Sequence, residues 1–223
     1  MSKGDLPLRI STIVEEFIVR RKWTIILSLA GVVVLAAAYF SVIGLTNSRE
    51  TAAENDFGKV YARYREEKSK DTGGDTLSLI GSFEVVLEDY PHTAAASKAA
   101  YFIGNIQFDH KEYEKALDSY LRGSEIKPKD YSALLCMKRA GACYEELERY
   151  EDAVGVYLTI LDRYQEYFII PTVIYKLAQL YEMLDRIEDA KKQYNRLITD
   201  FSWSSWSKLA EKQLLYLKSL SLS

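Results

Sequence analysis

Two cysteines, two histidines, four prolines and eleven glycines in 223 residues leave several kinds of chemistry without material. His92 and His110 have no cysteine or carboxylate at metal-ligand spacing, so no zinc site is expected. Cys136 and Cys143 stand seven positions apart on one expected helix, about 10 Å along its axis and beyond disulfide reach. They read as small apolar residues. So few glycines and prolines cannot furnish the turns of a β-sandwich or barrel. A formal net charge of −3 gives no electrostatic case for nucleic acid. Gly73-Gly74 lacks the Lys-Ser/Thr of a phosphate-binding loop, and Glu66-Glu67 and Glu145-Glu146 lie among compensating lysines and arginines. No nucleophile–base constellation, cofactor site or small-molecule substrate site emerges. The expectation is a non-enzyme.

What is present is apolar and helical. Hydrophobic residues make up 48% and charged residues 27%, a composition that packs a core. From Trp23 to Leu45 no residue is charged. As a helix this run spans roughly 34 Å, against about 30 Å for a hydrocarbon core. Arg20, Arg21 and Lys22 abut its start, while Arg49 is the only basic residue close to its end. That bias predicts a cytoplasmic N-terminus, with residues 46–223 on the extracytoplasmic side. A cleaved signal peptide is the alternative; the long region before the run and the run's length both favour a retained single-pass anchor. Upstream, Ile10, Ile13, Val14, Phe17 and Ile18 form one helical face, suited to the cytoplasmic bilayer surface or to an extension of the membrane helix. The expected organisation is an amphipathic segment over 1–22, a membrane helix over 23–45, a polar spacer over 46–55 and a helical domain over 56–223.

That domain repeats. Lys111-Glu112-Tyr113-Glu114-Lys115-Ala116 returns as Glu148-Arg149-Tyr150-Glu151-Asp152-Ala153 and as Asp185-Arg186-Ile187-Glu188-Asp189-Ala190, each 37 residues after the last. Tyr120, Tyr157 and Tyr194 keep the same step. A fixed period in the range of about 20–50 residues signals stacked units, each a supersecondary element that buries its apolar face only against its neighbours. Within a unit, Ala94–Phe108 and Tyr113–Ile126 carry apolar residues at helical spacing, separated by the polar His110-Lys111-Glu112. The period carried backwards makes 76–89 the second helix of a degenerate opening unit, with its first helix over Asp56–Lys68. Carried forwards, it leaves Trp206–Leu220 as a cap.

These residues resemble the tetratricopeptide repeat family. Gly104, Ala116 and Tyr120, then Gly141, Tyr144, Ala153 and Tyr157, then Ala178, Tyr181, Ala190 and Tyr194 stand at the family's small, aromatic, Ala and aromatic positions. In the first of these units Gln107 replaces the aromatic, with Phe108 beside it to compensate. The resemblance implies an all-α, right-handed solenoid of about four helix pairs (56–90, 94–128, 131–165 and 171–202) with a cap at 204–221. The small residues would permit close helix approach, and the alanines and tyrosines would fill the crossings. The period exceeds the family's usual 34 by three residues, and these fall between Tyr120 and Gly141. The first helices of this family line its binding groove. Its groove positions here are Lys98, Tyr101, Asn105 and Phe108; Leu135, Lys138, Ala142 and Glu145; and Thr172, Tyr175, Gln179 and Glu182. One subfamily grips chaperone C-termini with a basic clamp; Tyr101 where that clamp wants lysine, with Glu145 and Glu182, counts against it.

The order of parts, an amphipathic segment, one anchor and an exported solenoid, resembles the ancillary subunit family of the bacterial SecYEG translocon. That resemblance implies protein partners at the inner membrane, namely the secretion channel and periplasmic chaperones. An envelope-assembly or cell-division scaffold is the rival reading. A self-associating structural subunit, using Trp203 and Trp206 as its contact, is another.

Overall fold

Nothing between Leu8 and Pro91 forbids a helix except the Gly73-Gly74 region, and the longest element follows from that. The computed structural model describes residues 5–70 and 76–220, with side chains from residue 21 onward apart from 25 and 220. Every regular element among the described residues is a helix. The chain divides into two units, Met1–Arg49 and Glu50–Ser223, and helix α1 (Asp5–Lys68) contributes to both.

Among the described side chains of the first unit, the large apolar ones are nearly all bare. Val32, Val33, Val34 and Leu35 are 62–72% exposed, and Trp23, Leu27, Phe40 and Leu45 are comparably open. Among the described residues this is the one helix long and apolar enough to cross a membrane. Arg21 and Lys22 of the basic triplet are exposed. The side chains of Arg20 and of the amphipathic face at 10–18 lie outside the described residues, as does the Gly73-Gly74 loop.

The second unit begins earlier than the sequence pattern suggests. Residues 46–55, expected to be a polar spacer, are helical, and Ala53 is fully buried with Phe57 and Tyr64. The stretch holds no proline or glycine, so nothing ends the helix there. Glu50 explains why the start of packing shifts ahead of Asp56. Its carboxylate accepts the Ala94 backbone N–H at 3.1 Å and pairs with Lys127. A negative charge at the N-terminus of the helix over Ala94–Asp109 is favourable, because the first backbone N–H groups there lack partners.

Among the described residues eight further helices follow: α2 (Ser78–Asp89), α3 (Ala94–Asp109), α4 (Tyr113–Ile126), α5 (Tyr131–Glu146), α6 (Tyr150–Arg163), α7 (Ile170–Met183), α8 (Ile187–Asp200) and α9 (Ser205–Leu220). From α2 on, each packs on its successor, and α3 also touches α5 as α7 touches α9. One period is α3, the turn 110–112, α4 and the link 127–130. Helix starts are marked by the expected residues. The Thr93 hydroxyl accepts the Ala96 N–H at 3.1 Å, Asp130 accepts the Ser132 N–H at 2.8 Å, and Pro171 sits in the first turn of α7.

The crossings follow the period. A Cβ on Gly104 would lie 2.6 Å from the Tyr120 ring, and one on Gly141 2.7 Å from the Tyr157 ring. Glycine is therefore a steric requirement at both positions. Tyr120 and Tyr194 are fully buried and Tyr157 nearly so, and Ala116, Ala153, Ala178 and Ala190 have no exposed surface. Burying a side chain of that size contributes about 1.5–3 kcal/mol. Gly123 is a third close approach, with a Cβ position 2.7 Å from the Cys136 sulfur. Both cysteines are buried, and burial pushes each thiol up to about 12.

The turns within units share one geometry. Lys111, Glu148 and Asp185, 37 residues apart, adopt φ of 62°, 56° and 55°. Around the first, the Glu112 N–H reaches the Gln107 carbonyl at 2.9 Å and the Lys111 N–H the Phe108 carbonyl at 2.9 Å. That is the pair of bonds by which a left-handed residue closes a helix C-terminus.

Candidate protein-binding surface

Helices α3, α5 and α7 are the first members of their pairs, and their shared face carries two hollows. The first, about 340 Å³, lies between the Glu50–Lys68 part of α1, α3 and the start of α5. Phe57, Tyr61, Tyr101, Phe102, Tyr131 and Leu135 form its walls, with Lys98, Asp130 and Ser132 at its rim. The aromatic rings hold each other: Tyr61 and Phe102 lie 5.0 Å apart, Phe57 and Phe102 5.8 Å, and Phe83 stacks beneath Phe102 at 5.6 Å. Ring contacts at such distances rigidify the wall. The polar rim groups are already engaged. Lys98 pairs with Glu54 at 2.7 Å, and Asp130 accepts from both the N–H and the hydroxyl of Ser132.

The second hollow, about 330 Å³, lies between α5, α7 and α9 and is lined by Glu145, Lys176, Gln179, Leu180, Glu182, Met183 and Gln213. Its floor is a hydrogen-bond ladder. Glu145 accepts the Tyr157 hydroxyl at 2.6 Å through one oxygen and the Lys176 ammonium at 3.0 Å through the other. One unit on, Glu182 accepts the Tyr194 hydroxyl and, at 2.8 Å, the Gln213 amide. One unit back, Phe108 occupies the carboxylate's position, and Asn105 takes over: its oxygen accepts from Tyr120 at 2.7 Å and from Arg139 at 3.0 Å. Arg139, Lys176 and Gln213 are themselves 37 residues apart. Each rung ties the first helix of a unit to its own second helix and to the helix that opens the next unit or the cap. Burial above all, then the Glu145 carboxylate, pushes the Tyr157 phenol well above its ordinary pKa, and Tyr194 is raised by burial and then Glu182.

Ten of the twelve groove residues named from the sequence therefore fall into four sets. Lys98, Tyr101 and Leu135 border the first hollow; Glu145, Gln179 and Glu182 border the second. Lys138 lies between the hollows on α5. It is half-buried, and burial, with Arg139 and Lys176 nearby, lowers its pKa from the usual lysine value. The remaining three are engaged in packing. Asn105 is buried in the ladder, Phe108 sits under Arg139 at 4.8 Å, and Tyr175 lies between Tyr194 at 5.6 Å and Trp206 at 5.0 Å. Trp206 is thus half-buried against α7, whereas Trp203 is 71% exposed. Phe57, Tyr61, Phe102 and Tyr131 escaped the sequence reading because no family groove position falls on them. The recurrence of donors at 139, 176 and 213 is the signal in the sequence by which the ladder could have been found. Among the described residues no group of three His, Cys, Asp or Glu is placed to hold a metal.

Residues 172–202, which span α7 and α8, match the family model described as tetratricopeptide repeat. A tetratricopeptide repeat protein from Parabacteroides merdae superposes with a TM-score of 0.58 at 18% identity, over 74% of this chain and 61% of that one. The fold is that of a tetratricopeptide repeat solenoid. Nearly identical TPR-like repeats from Podosopora anserina give a TM-score of 0.55 at 9% identity, over 74% of this chain and 92% of theirs. In sequence, a TPR repeat-containing protein of Treponema pallidum (strain Nichols) is 26% identical over 113 residues, or 51% of this chain. The match covers 47% of that relative, so the chain spans about half the length of the curated protein it matches. The likeness to the two solenoids of known structure concerns the fold, whose stacked helices serve protein contacts.

Proposed function

We propose that this chain is a protein-binding scaffold tethered to a bacterial inner membrane. The observation that carries the reading is the row of two hollows on the first-helix face, one aromatic and one polar, held open by rings and a hydrogen-bond ladder. Segment 23–45 acts as the retained anchor; its bare apolar side chains match a lipid environment, where water would leave them unsatisfied. Arg20, Arg21 and Lys22 against Arg49 support a cytoplasmic N-terminus and an extracytoplasmic solenoid. The layout resemblance favours the secretion translocon and periplasmic chaperones as partners. No bond is made or broken in this function. The anchor holds the row near the channel exit, and tethering raises the effective concentration of partner and client to about the millimolar range.

Cross-linking in native membranes followed by mass spectrometry tests this reading. Channel and chaperone adducts are expected. Adducts confined to outer-membrane assembly proteins would favour the envelope-scaffold reading, and recovery of homo-oligomers alone would favour self-association through exposed groups such as Trp203. A reporter fused after Ser223 that proved cytoplasmic would contradict both exported readings.

A further inference from the structure

The aromatic hollow and Lys138 make a two-point site, and the helix between them sets its spacing. Every wall of the hollow is a ring or an aliphatic chain, and its charged rim groups are engaged with Glu54 and Ser132. A volume of about 340 Å³ is near the lower end of the range for ligand pockets, suited to a single bulky side chain. Among the described residues, the hydroxyls of Tyr61 and Tyr101 on its walls have no hydrogen-bond partner, which leaves them for the backbone of an incoming segment.

Lys138 stands one helical turn beyond Leu135 on α5. It has no ion-pair partner among the described residues. The charges that act on it are Arg139 on its own helix and Lys176 on α7. Glu145 is taken by Lys176 and Tyr157, and Arg139 spends its Nε on the neutral Asn105. The positive charge beside the hollow is therefore uncompensated from within the chain. The three residues from Leu135 to Lys138 advance about 4.5 Å along the helix axis. An extended segment advances about 3.3 Å per residue and repeats its facing every second residue.

We propose that the first hollow takes a bulky apolar side chain of an extended partner segment, and that Lys138 pairs with an acidic side chain two positions away on that segment. The occupant is thus a stretch of protein that carries an apolar residue and an acid on one face. This rests on the scaffold reading above and narrows it to a ligand class.

The test uses the full chain in lipid nanodiscs and fluorescence anisotropy with three labelled nine-residue peptides of serine and glycine. The first has a central phenylalanine with glutamate two positions to either side, the second lysine in place of the glutamates, and the third serine in place of the phenylalanine. The first is expected to bind at least tenfold more tightly than either of the others. Lys138→Glu is expected to reverse the preference between the first two peptides. Leu135→Asp is expected to abolish binding, with circular dichroism verifying that both variants are folded. Lysine-flanked peptide binding at least as tightly, and still lost in Leu135→Asp, would overturn the proposal while leaving the scaffold reading standing. Absence of binding by all three peptides would overturn the proposal, and the scaffold reading then stands or falls on the cross-linking. Equal binding by wild type and Leu135→Asp would overturn the assignment of the hollow.

Discussion

Lys111, Glu148 and Asp185 each hold a left-handed backbone with a side chain attached, at φ of 62°, 56° and 55°. Crowding of Cβ against the carbonyl makes this conformation unfavourable for L-residues, and glycine relieves it. Glu148→Gly should therefore stabilise the domain by about 0.5–1 kcal/mol, after its greater unfolded-state entropy is counted. A rise in urea midpoint without a change in slope would show it. The opposite holds at Gly141, whose Cβ position lies 2.7 Å from a buried ring. Gly141→Ala forces Tyr157 out of its rotamer, and a loss of about 2–3 kcal/mol is expected in the same assay. Tyr157 also gives the domain an alkaline limit. Its folded pKa is raised above the ordinary value of 10.0, so its contribution is complete below about pH 10 and is lost as pH rises beyond it. The slope is up to about 1.4 kcal/mol per pH unit. Tyr157→Phe is expected to be less stable at pH 8, through loss of the Glu145 hydrogen bond, yet to lose stability less steeply between pH 9.5 and 11. Parallel slopes would refute the assignment.

Between residues and the whole lies the pairing of helices, where the 37-residue period said most. It bounded single helices over 76–89, 94–108, 113–126 and 206–220, where the structure has Ser78–Asp89, Ala94–Asp109, Tyr113–Ile126 and Ser205–Leu220, because glycine, alanine and tyrosine at fixed spacing encode a steric fit that needs no tertiary information. It missed the start of packing at Glu50, since that residue acts through a carboxylate on the end of α3, forty-four positions away. The site was partly legible too. Residues on one helix face, such as Leu135 and Lys138, were named through the groove positions that the family resemblance implies. The aromatic wall draws Phe57 and Tyr61 from the degenerate opening unit, where the motif is too worn to assign positions. The ladder is the clearest prediction at this scale. Lys176 and Glu145 belong to different units, so their coupling is a direct reading of contact between neighbours. A double-mutant cycle with Lys176→Met and Glu145→Gln should give a coupling of about 0.5–1 kcal/mol, modest because Lys176 is half-exposed. A coupling near zero would show that the rung contributes nothing to the stacking.

For the molecule as a whole, a stacked solenoid presents an extended face made of corresponding positions from successive units. Under the proposed function it is the first-helix face that holds proteins at a membrane. A photo-reactive benzophenone side chain distinguishes the two faces directly. Introduced at Leu135 it sits on the wall of the aromatic hollow; introduced at Leu158 on α6 it sits on a second helix, 44% exposed. After irradiation of intact cells, protein adducts are expected from position 135 and not from position 158. Adducts from 158 alone, or equally from both positions, would contradict the account.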